Sequence, residues 1–114
     1  DLMLRLSRTQ KEFKMIDGEE LSCFTYIPDL TKATAGLINE KKEFGIYHIV
    51  NEGVASWYDG AKYLFELKGI DVDLKAVKSD DFTRPAQRPA FSVLLNTKLK
   101  KLRTWQDALK EYLA

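Results

Sequence analysis

Residues 45–58 contain a strand pattern, a turn and a capped helix start in direct succession. Gly45–Val50 is mostly apolar in succession, which is typical of a strand buried on both faces. Asn51 and Gly53 follow as a turn, because both residue types tolerate positive φ. Ser56 and Asp59 are three residues apart and form the capping-box pattern of a helix start. A buried strand that leads directly into a helix favours an α/β fold.

Helix and strand patterns alternate along the rest of the chain. Pro28-Asp29 marks one helix start, and Thr104 with Asp107 marks the last. The predicted elements are a helix over residues 2–11, strands over 13–16, 45–50 and 72–76, helices beginning near 28, 56 and 104, and a loop over 79–92. This order predicts an α/β fold with alternating helices and short, mostly parallel strands. Three short strands are few for a free-standing parallel sheet, so we expect the intact protein to supply further strands.

The composition restricts the class of protein. With 114 residues, of which 45% are apolar and 31% charged, the chain forms at most one domain of an ordinary globular protein. Its 18 basic and 17 acidic residues give a net charge of +1, which argues against a nucleic-acid-binding protein. No apolar run approaches the roughly 18 residues of a membrane span. The single cysteine, Cys23, excludes an internal disulfide and suits a reducing cytoplasm.

Two arginines on the proline-containing loop are candidates for anion binding. Arg84 precedes Pro85, and Arg88 precedes Pro89. The planar guanidinium group suits diphosphate oxygens, and an adjacent proline restricts the backbone. The alternative is that both arginines are ordinary solvated surface residues.

Polar residues near predicted strand ends and helix starts are further candidates. Asn51 follows the predicted strand 45–50, and ligands of α/β sheets lie beyond the carboxyl ends of strands. Thr25 and Tyr26 precede a helix start, where backbone N–H groups can face an anion. The alternatives are turn chemistry for Asn51 and packing of the loop for Thr25 and Tyr26. His48, the only histidine, is interpreted as a sheet or core residue, so no histidine-based metal site is expected.

Several short motifs resemble one enzyme family when they are taken in order. They are Tyr47-His48, Asn51-Glu52-Gly53, Ser56-Trp57-Tyr58, Arg88-Pro89 with Ser92-Val93-Leu94, and Trp105, Ala108, Leu109, Tyr112 and Leu113. In this order and spacing, they resemble the C-terminal part of the dTDP-4-dehydrorhamnose reductase family, which belongs to the extended short-chain dehydrogenase/reductase superfamily. The chain departs from the family at Glu19-Glu20, Ser22 and Phe24, where the family commonly has Asp-Gln, glycine and proline.

The resemblance implies an enzyme in two parts, with a Rossmann-like fold in the intact protein. The N-terminal Rossmann half would bind NADPH or NADH and carry a catalytic Tyr-x-x-x-Lys pair. This chain has neither that pair nor a glycine-rich turn after a strand. Residues 1–114 are therefore interpreted as a single C-terminal substrate-binding segment cut from a longer reductase. The segment alone is expected to be inactive and to bind no cofactor.

The implied substrate and protein partner follow from the same resemblance. The substrate would be a dTDP-sugar, dTDP-4-dehydro-L-rhamnose, and the missing Rossmann half would be the protein partner. Self-association of the segment is a further expectation. Arg88, Arg84, Asn51, Thr25 and Tyr26 are the predicted substrate-binding residues. No catalytic, cofactor-binding or metal-binding residue is predicted in this chain.

Two other functions are compatible with these motifs. The first is a non-catalytic regulatory homologue, which would lack the glycine-rich loop and the Tyr-x-x-x-Lys pair upstream. The second is another sugar-nucleotide epimerase or dehydratase of the superfamily, because Phe24-Thr25-Tyr26 also resembles those enzymes. Substrate profiling of the full-length protein would separate this second alternative from the reductase.

Overall fold

The computed structural model describes residues 2–114, which form helices and one parallel pair of strands. The elements, in chain order, are α1 (Leu2–Leu6), β1 (Glu12–Ile16), α2 (Ile27–Asn39), α3 (Trp57–Lys68), β2 (Asp73–Val77), a 3-10 turn (Ser79–Asp81) and α4 (Trp105–Leu113). The backbone divides into two compact units. The first unit contains the described residues up to Ser22 together with Ala55–Ser92, and the second contains Cys23–Val54 and Val93–Ala114.

The first unit is built on a parallel pair of strands. β1 pairs with β2 in register from Glu12 opposite Asp73 to Ile16 opposite Val77, and this confirms the prediction of parallel strands. Helix α3 packs against both strands. Its core consists of Phe13, Ala61 and Phe65, surrounded by the partly buried side chains of Met3, Met15, Ile70, Val72 and Leu74.

The predicted capping box begins α3. The Ser56 hydroxyl oxygen accepts from the Asp59 backbone N–H at 3.1 Å, and the Ser56 N–H donates to Asp59 Oδ2 at 2.8 Å. The Ser56 hydroxyl also lies 3.0 Å from Asp17 Oδ1, at the end of β1. Gly69 ends the helix with a left-handed φ of 61°. The cap thus joins the helix start to the strand that it packs on.

The second unit contains α2, α4 and the irregular segments that connect them. The Thr104 hydroxyl accepts from the Asp107 N–H, which confirms the predicted start of α4. Trp105 and Ala108 are buried, and the Phe24 ring meets Trp105 edge-on with centroids 5.4 Å apart. Gly53 has φ of 103°, and a Cβ at this position would lie 2.9 Å from Trp105 Cδ1. Only glycine therefore allows the turn to lie against the indole ring.

The prediction of a strand buried on both faces at residues 45–50 is wrong for this chain. No strand ladder forms there among residues 2–114, and Ile46 is 77% exposed. His48 is also exposed, so it is neither a sheet nor a core residue here. An extended segment becomes a strand only when a neighbour pairs with its backbone. The apolar pattern of residues 45–50 could not reveal whether a neighbouring strand is present.

The first helix is shorter than its pattern predicted. α1 ends at Leu6, and residues 7–10 continue as hydrogen-bonded turns. The Ser7 hydroxyl bonds to the Leu4 carbonyl at 2.9 Å, and such local side-chain bonds compete with helix continuation. No helix among the described residues is long and apolar enough to cross a membrane.

Replacing Ser56 tests the importance of the cap of α3. Ser56→Ala removes the acceptor for the Asp59 N–H and is expected to lower the free energy of unfolding by about 1 kcal/mol. Ser92→Ala is the matched control, because the exposed Ser92 hydroxyl makes one long bond of 3.3 Å. Urea unfolding of the 114-residue chain measures both. Equal stability of the two variants would contradict the role of the cap.

Candidate functional site

Arg84 is held in an ion pair with the buried carboxylate of Glu20 in the first unit. Its guanidinium group contacts both carboxylate oxygens of Glu20, one of them through Nη1 at 3.3 Å and the other through Nη2. The Ser79 hydroxyl donates to Glu20 Oε1 at 2.6 Å and accepts from Arg84 Nη2 at 2.8 Å. Glu20 is buried, with 7% of its surface exposed. The guanidinium group of Arg84 is therefore already bound by Glu20 within the chain.

The pKa values of this pair follow from its geometry. Hydrogen bonds from Arg84 and then from Ser79 hold the pKa of Glu20 below its ordinary value, and the positive charges of Arg84 and Arg88 act in the same direction. The hydrogen bond with Glu20 raises the pKa of Arg84. Both groups are therefore charged at neutral pH, as a buried ion pair requires.

Arg88 is exposed on the same loop as Arg84. The loop returns to the body of the first unit three residues later, where Phe91 forms a parallel bridge with Leu21. The Leu21 N–H donates to the Ala90 carbonyl at 2.9 Å, and the Ser92 N–H donates to the Leu21 carbonyl at 2.8 Å. The structure therefore separates the two arginines that were equivalent in the sequence.

Asn51 is completely buried in the second unit, at 0% exposure. Its amide oxygen accepts from the Tyr26 backbone N–H at 2.8 Å. Its amide nitrogen donates to Asp29 Oδ2 at 2.7 Å and to the Arg103 carbonyl at 3.2 Å. The side chain thus ties the start of α2 to the segment before α4. All of these bonds are internal, so the geometry gives Asn51 a structural role.

Asp29 and Arg103 form a bidentate ion pair beside Asn51. Arg103 Nε and Nη2 each lie 2.8 Å from one oxygen of Asp29, and Nη1 contacts Glu111 of α4. The hydrogen bond from Arg103, together with that from Asn51, lowers the pKa of Asp29. Contacts with Asp29 and then Glu111 raise the pKa of Arg103. This pair fixes the first turn of α2 against α4.

Thr25 and Tyr26 directly precede α2. Thr25 is exposed, whereas Tyr26 is partly buried and its ring lies 5.5 Å from the Arg103 guanidinium carbon. The Tyr26 ring also packs against Tyr112 at 6.4 Å between centroids. Thr25 is therefore the more accessible of the two side chains.

Several important residues were not identified from the sequence. The two ion-pair networks depend on residues that the sequence analysis did not select as site residues: Glu20 and Ser79 in one network, Asp29 and Arg103 in the other. The bonds from Glu20 to its partners and from Asp29 to Arg103 join residues that are 59 to 74 positions apart, so no short sequence motif connects them. The departure from the family at Glu19-Glu20 was the one sequence feature that could have drawn attention to Glu20. Among residues 2–114, no group of three or more potential ligands could bind a metal ion.

Acid should weaken the Asp29 pair. The pKa of Asp29 is lower in the folded chain than its unfolded value of about 3.9, so the pair stabilises the fold above that value and this stability is lost as pH falls through the folded pKa. Asp29→Asn is expected to cost about 2 kcal/mol near pH 6 and progressively less below about pH 4.

Urea unfolding of the wild-type chain and the Asp29→Asn variant, at a series of pH values, measures this difference. Asp71→Asn, at an exposed position, is the control and should change the free energy of unfolding by less than about 0.5 kcal/mol. A cost of Asp29→Asn that is the same at neutral and acid pH would contradict an ion pair with a charged Asp29.

Comparisons with known proteins identify close relatives over the whole chain. A family model described as the RmlD substrate binding domain matches residues 1–114. The spore coat polysaccharide biosynthesis protein SpsK of Bacillus subtilis is 32% identical over 117 residues, which cover 99% of this chain and 40% of SpsK.

Solved structures share the fold of this chain. A dTDP-4-dehydrorhamnose reductase from Clostridium acetobutylicum is 36% identical, with a TM-score of 0.90 over 98% of this chain and 41% of that chain. A dTDP-4-dehydrorhamnose reductase from Bacillus anthracis, solved in complex with NADP, is 25% identical, with the same TM-score and coverage. The chain spans about two fifths of the length of these proteins.

Proposed function

The chain belongs to the RmlD substrate-binding domain family, and we propose that it is the sugar-nucleotide-binding segment of an NAD(P)H-dependent dTDP-4-dehydrorhamnose reductase. The match of the family model to residues 1–114 confirms the family resemblance of its motifs. The intact enzyme would reduce the C4 keto group of dTDP-4-dehydro-L-rhamnose to give dTDP-L-rhamnose, for rhamnose and cell-surface polysaccharide biosynthesis in the cytoplasm. The match of the family to the whole chain and the likeness to solved reductases support this proposal.

Arg88 is the residue that we assign to the diphosphate of the substrate. The observation behind this assignment is the contrast between the two loop arginines: Glu20 occupies Arg84, whereas Arg88 is exposed. A guanidinium group can donate two parallel hydrogen bonds to phosphate oxygens. Arg84 then supports the loop and does not contact the substrate directly.

The start of α2 is the candidate binding element of the second unit. Thr25 is exposed there and can contact the sugar nucleotide, with Tyr26 beside it. Asn51 contributes indirectly, because its amide atoms are used to hold the Tyr26 N–H and Asp29. A helix start also favours an anion through its positive dipole end.

The cofactor would be bound outside this chain. Asp17-Gly18 follows β1 and Lys78-Ser79 follows β2, and neither is the glycine-rich turn that a dinucleotide requires. These residues do not fit the cofactor, so its binding and the hydride transfer are assigned to a separate N-terminal half. The NADP complex of the Bacillus anthracis reductase supports NADPH as the cofactor of the intact protein.

Exposed apolar side chains support a protein partner. In the second unit, large apolar side chains with more than two thirds of their surface exposed are Ile27, Ile38, Phe44, Ile46 and Leu95. Large exposed apolar surfaces are typical of interaction sites. We propose that the N-terminal half covers exposed apolar side chains of this chain in the intact protein, and that the isolated chain self-associates through them.

Arg88→Ala tests the proposed substrate site in the intact protein. Losing a charge-assisted contact to phosphate should weaken binding by about ten- to a hundredfold, or about 1.5–3 kcal/mol. The KM for the nucleotide-sugar should rise, while affinity for NADPH stays nearly unchanged. Arg88→Lys should recover only part of the loss, because lysine cannot present the bidentate fork.

Arg84→Ala tests the different, supporting role of the second Arg-Pro position. It should lower the stability of the first unit, because it leaves buried Glu20 without its cation. If Arg88→Ala folded normally and bound the nucleotide-sugar as well as the wild type, Arg88 would be a solvated loop residue and the proposed site would be wrong.

The isolated chain should have no reductase activity. It contains neither a dinucleotide-binding turn nor the Tyr-x-x-x-Lys pair, so NADPH oxidation with dTDP-4-dehydrorhamnose should stay at the level of the blank. Co-expression with the N-terminal half should restore activity and reduce the binding of an apolar dye. Turnover by the purified 114-residue chain would contradict the proposal that cofactor binding and hydride transfer require the N-terminal half.

A further inference from the structure

Residues 20 and 21 hold both ends of the loop that carries Arg88. At the beginning of the loop, the Arg84 side chain is bound by Glu20. At its end, the Leu21 N–H and carbonyl bond to the Ala90 carbonyl and the Ser92 N–H, at 2.9 and 2.8 Å. Residues 85–90 lie exposed between these two anchors. Two consecutive residues therefore determine where the loop starts and ends.

Several features of Glu20 indicate that its side chain holds the loop in a fixed position. Glu20 is buried and has a left-handed φ of 54°, which is uncommon for a residue other than glycine. Its carboxylate is bound by two side chains, since the Ser79 hydroxyl joins Arg84. Pro85 and Pro89 further restrict the loop, because proline fixes φ. Arg88 is thus attached to a short segment in which the φ torsions of Pro85 and Pro89 are fixed.

We propose that Glu20 is a positioning residue that fixes the loop through Arg84 and Ser79, so that Arg88 is presented to the diphosphate of the substrate. This inference rests on the proposed function of Arg88 and extends it to a residue that does not touch the ligand. Holding a binding group in place before the ligand arrives reduces the entropy that is lost on binding.

The core of the first unit is formed by other residues. Phe13, Ala61 and Phe65 pack between the strands and α3, and Glu20 is not a member of this cluster. The ion pair is therefore expected to affect the order of the loop more than the pairing of β1 with β2. This difference separates a positioning role from a general role in folding.

The direction in which Glu20→Gln changes the binding of a diphosphate separates two explanations of the role of Glu20. Glu20 carries a negative charge near an arginine that is assigned to an anion. If only long-range charge mattered, removing this negative charge would strengthen the binding of a diphosphate. If Glu20 positions the loop, Glu20→Gln instead weakens binding, because a neutral amide holds Arg84 less strongly. The two explanations predict opposite changes.

The test uses calorimetric titration of dTDP into the intact protein and four variants: Glu20→Gln, Arg84→Lys, Arg88→Ala and the Glu20→Gln/Arg88→Ala double variant. Glu20→Gln and Arg84→Lys should each weaken binding roughly three- to tenfold. The double variant should bind no more weakly than Arg88→Ala alone, because Glu20 acts through Arg88. Glu12→Gln, at an exposed carboxylate paired with Lys75 on β1, is the control and should bind as the wild type.

Hydrogen exchange gives a readout that does not depend on the ligand. In the Glu20→Gln variant, amides of residues 86–92 should exchange faster, while those of β1 and α3 remain protected. Unchanged or tighter dTDP binding by Glu20→Gln, or additive losses in the double variant, would overturn the positioning role. Normal binding by Arg88→Ala would instead show that the proposed substrate site itself is wrong, and the inference would be overturned with it.

Discussion

Buried polar side chains can be accommodated only when all of their hydrogen-bonding groups have partners, and this constraint fixes the irregular parts of the chain. Asn51, Ser56 and Glu20 are all buried and all fully engaged with other residues. Each one joins a loop to a regular element or to another loop. An unpaired buried polar group costs about 1–3 kcal/mol, so these loops have few alternative conformations of similar energy.

The same constraint distinguishes residues that support the candidate site from residues that can form it. Arg84 and Arg103 are both bound by buried or partly buried carboxylates, whose pKa values are lowered as a result. Arg88 extends from a loop that is fixed at both ends, and Thr25 is exposed before α2. In each unit, ion pairs hold the backbone while a neighbouring side chain stays accessible to a ligand.

Local rules predicted most of the helices, and long-range contacts explain what they missed. Ser56 and Thr104 were identified as helix caps because a cap and its partner are three residues apart. The sequence could not show that Arg84 has a partner 64 residues away, so Arg84 and Arg88 looked equivalent. The apolar pattern at residues 45–50 could not reveal whether a neighbouring strand exists. Prediction therefore succeeded where a feature depends on adjacent residues and failed where it depends on a distant partner.

Hydrogen–deuterium exchange of the intact protein with and without dTDP tests the assignment of this chain to the sugar nucleotide most directly. Bound dTDP is predicted to slow exchange in the loop around Arg88, while the amides of β1 and β2 change little. Protection by dTDP confined to parts of the protein outside residues 1–114 would contradict a substrate-binding role for this chain.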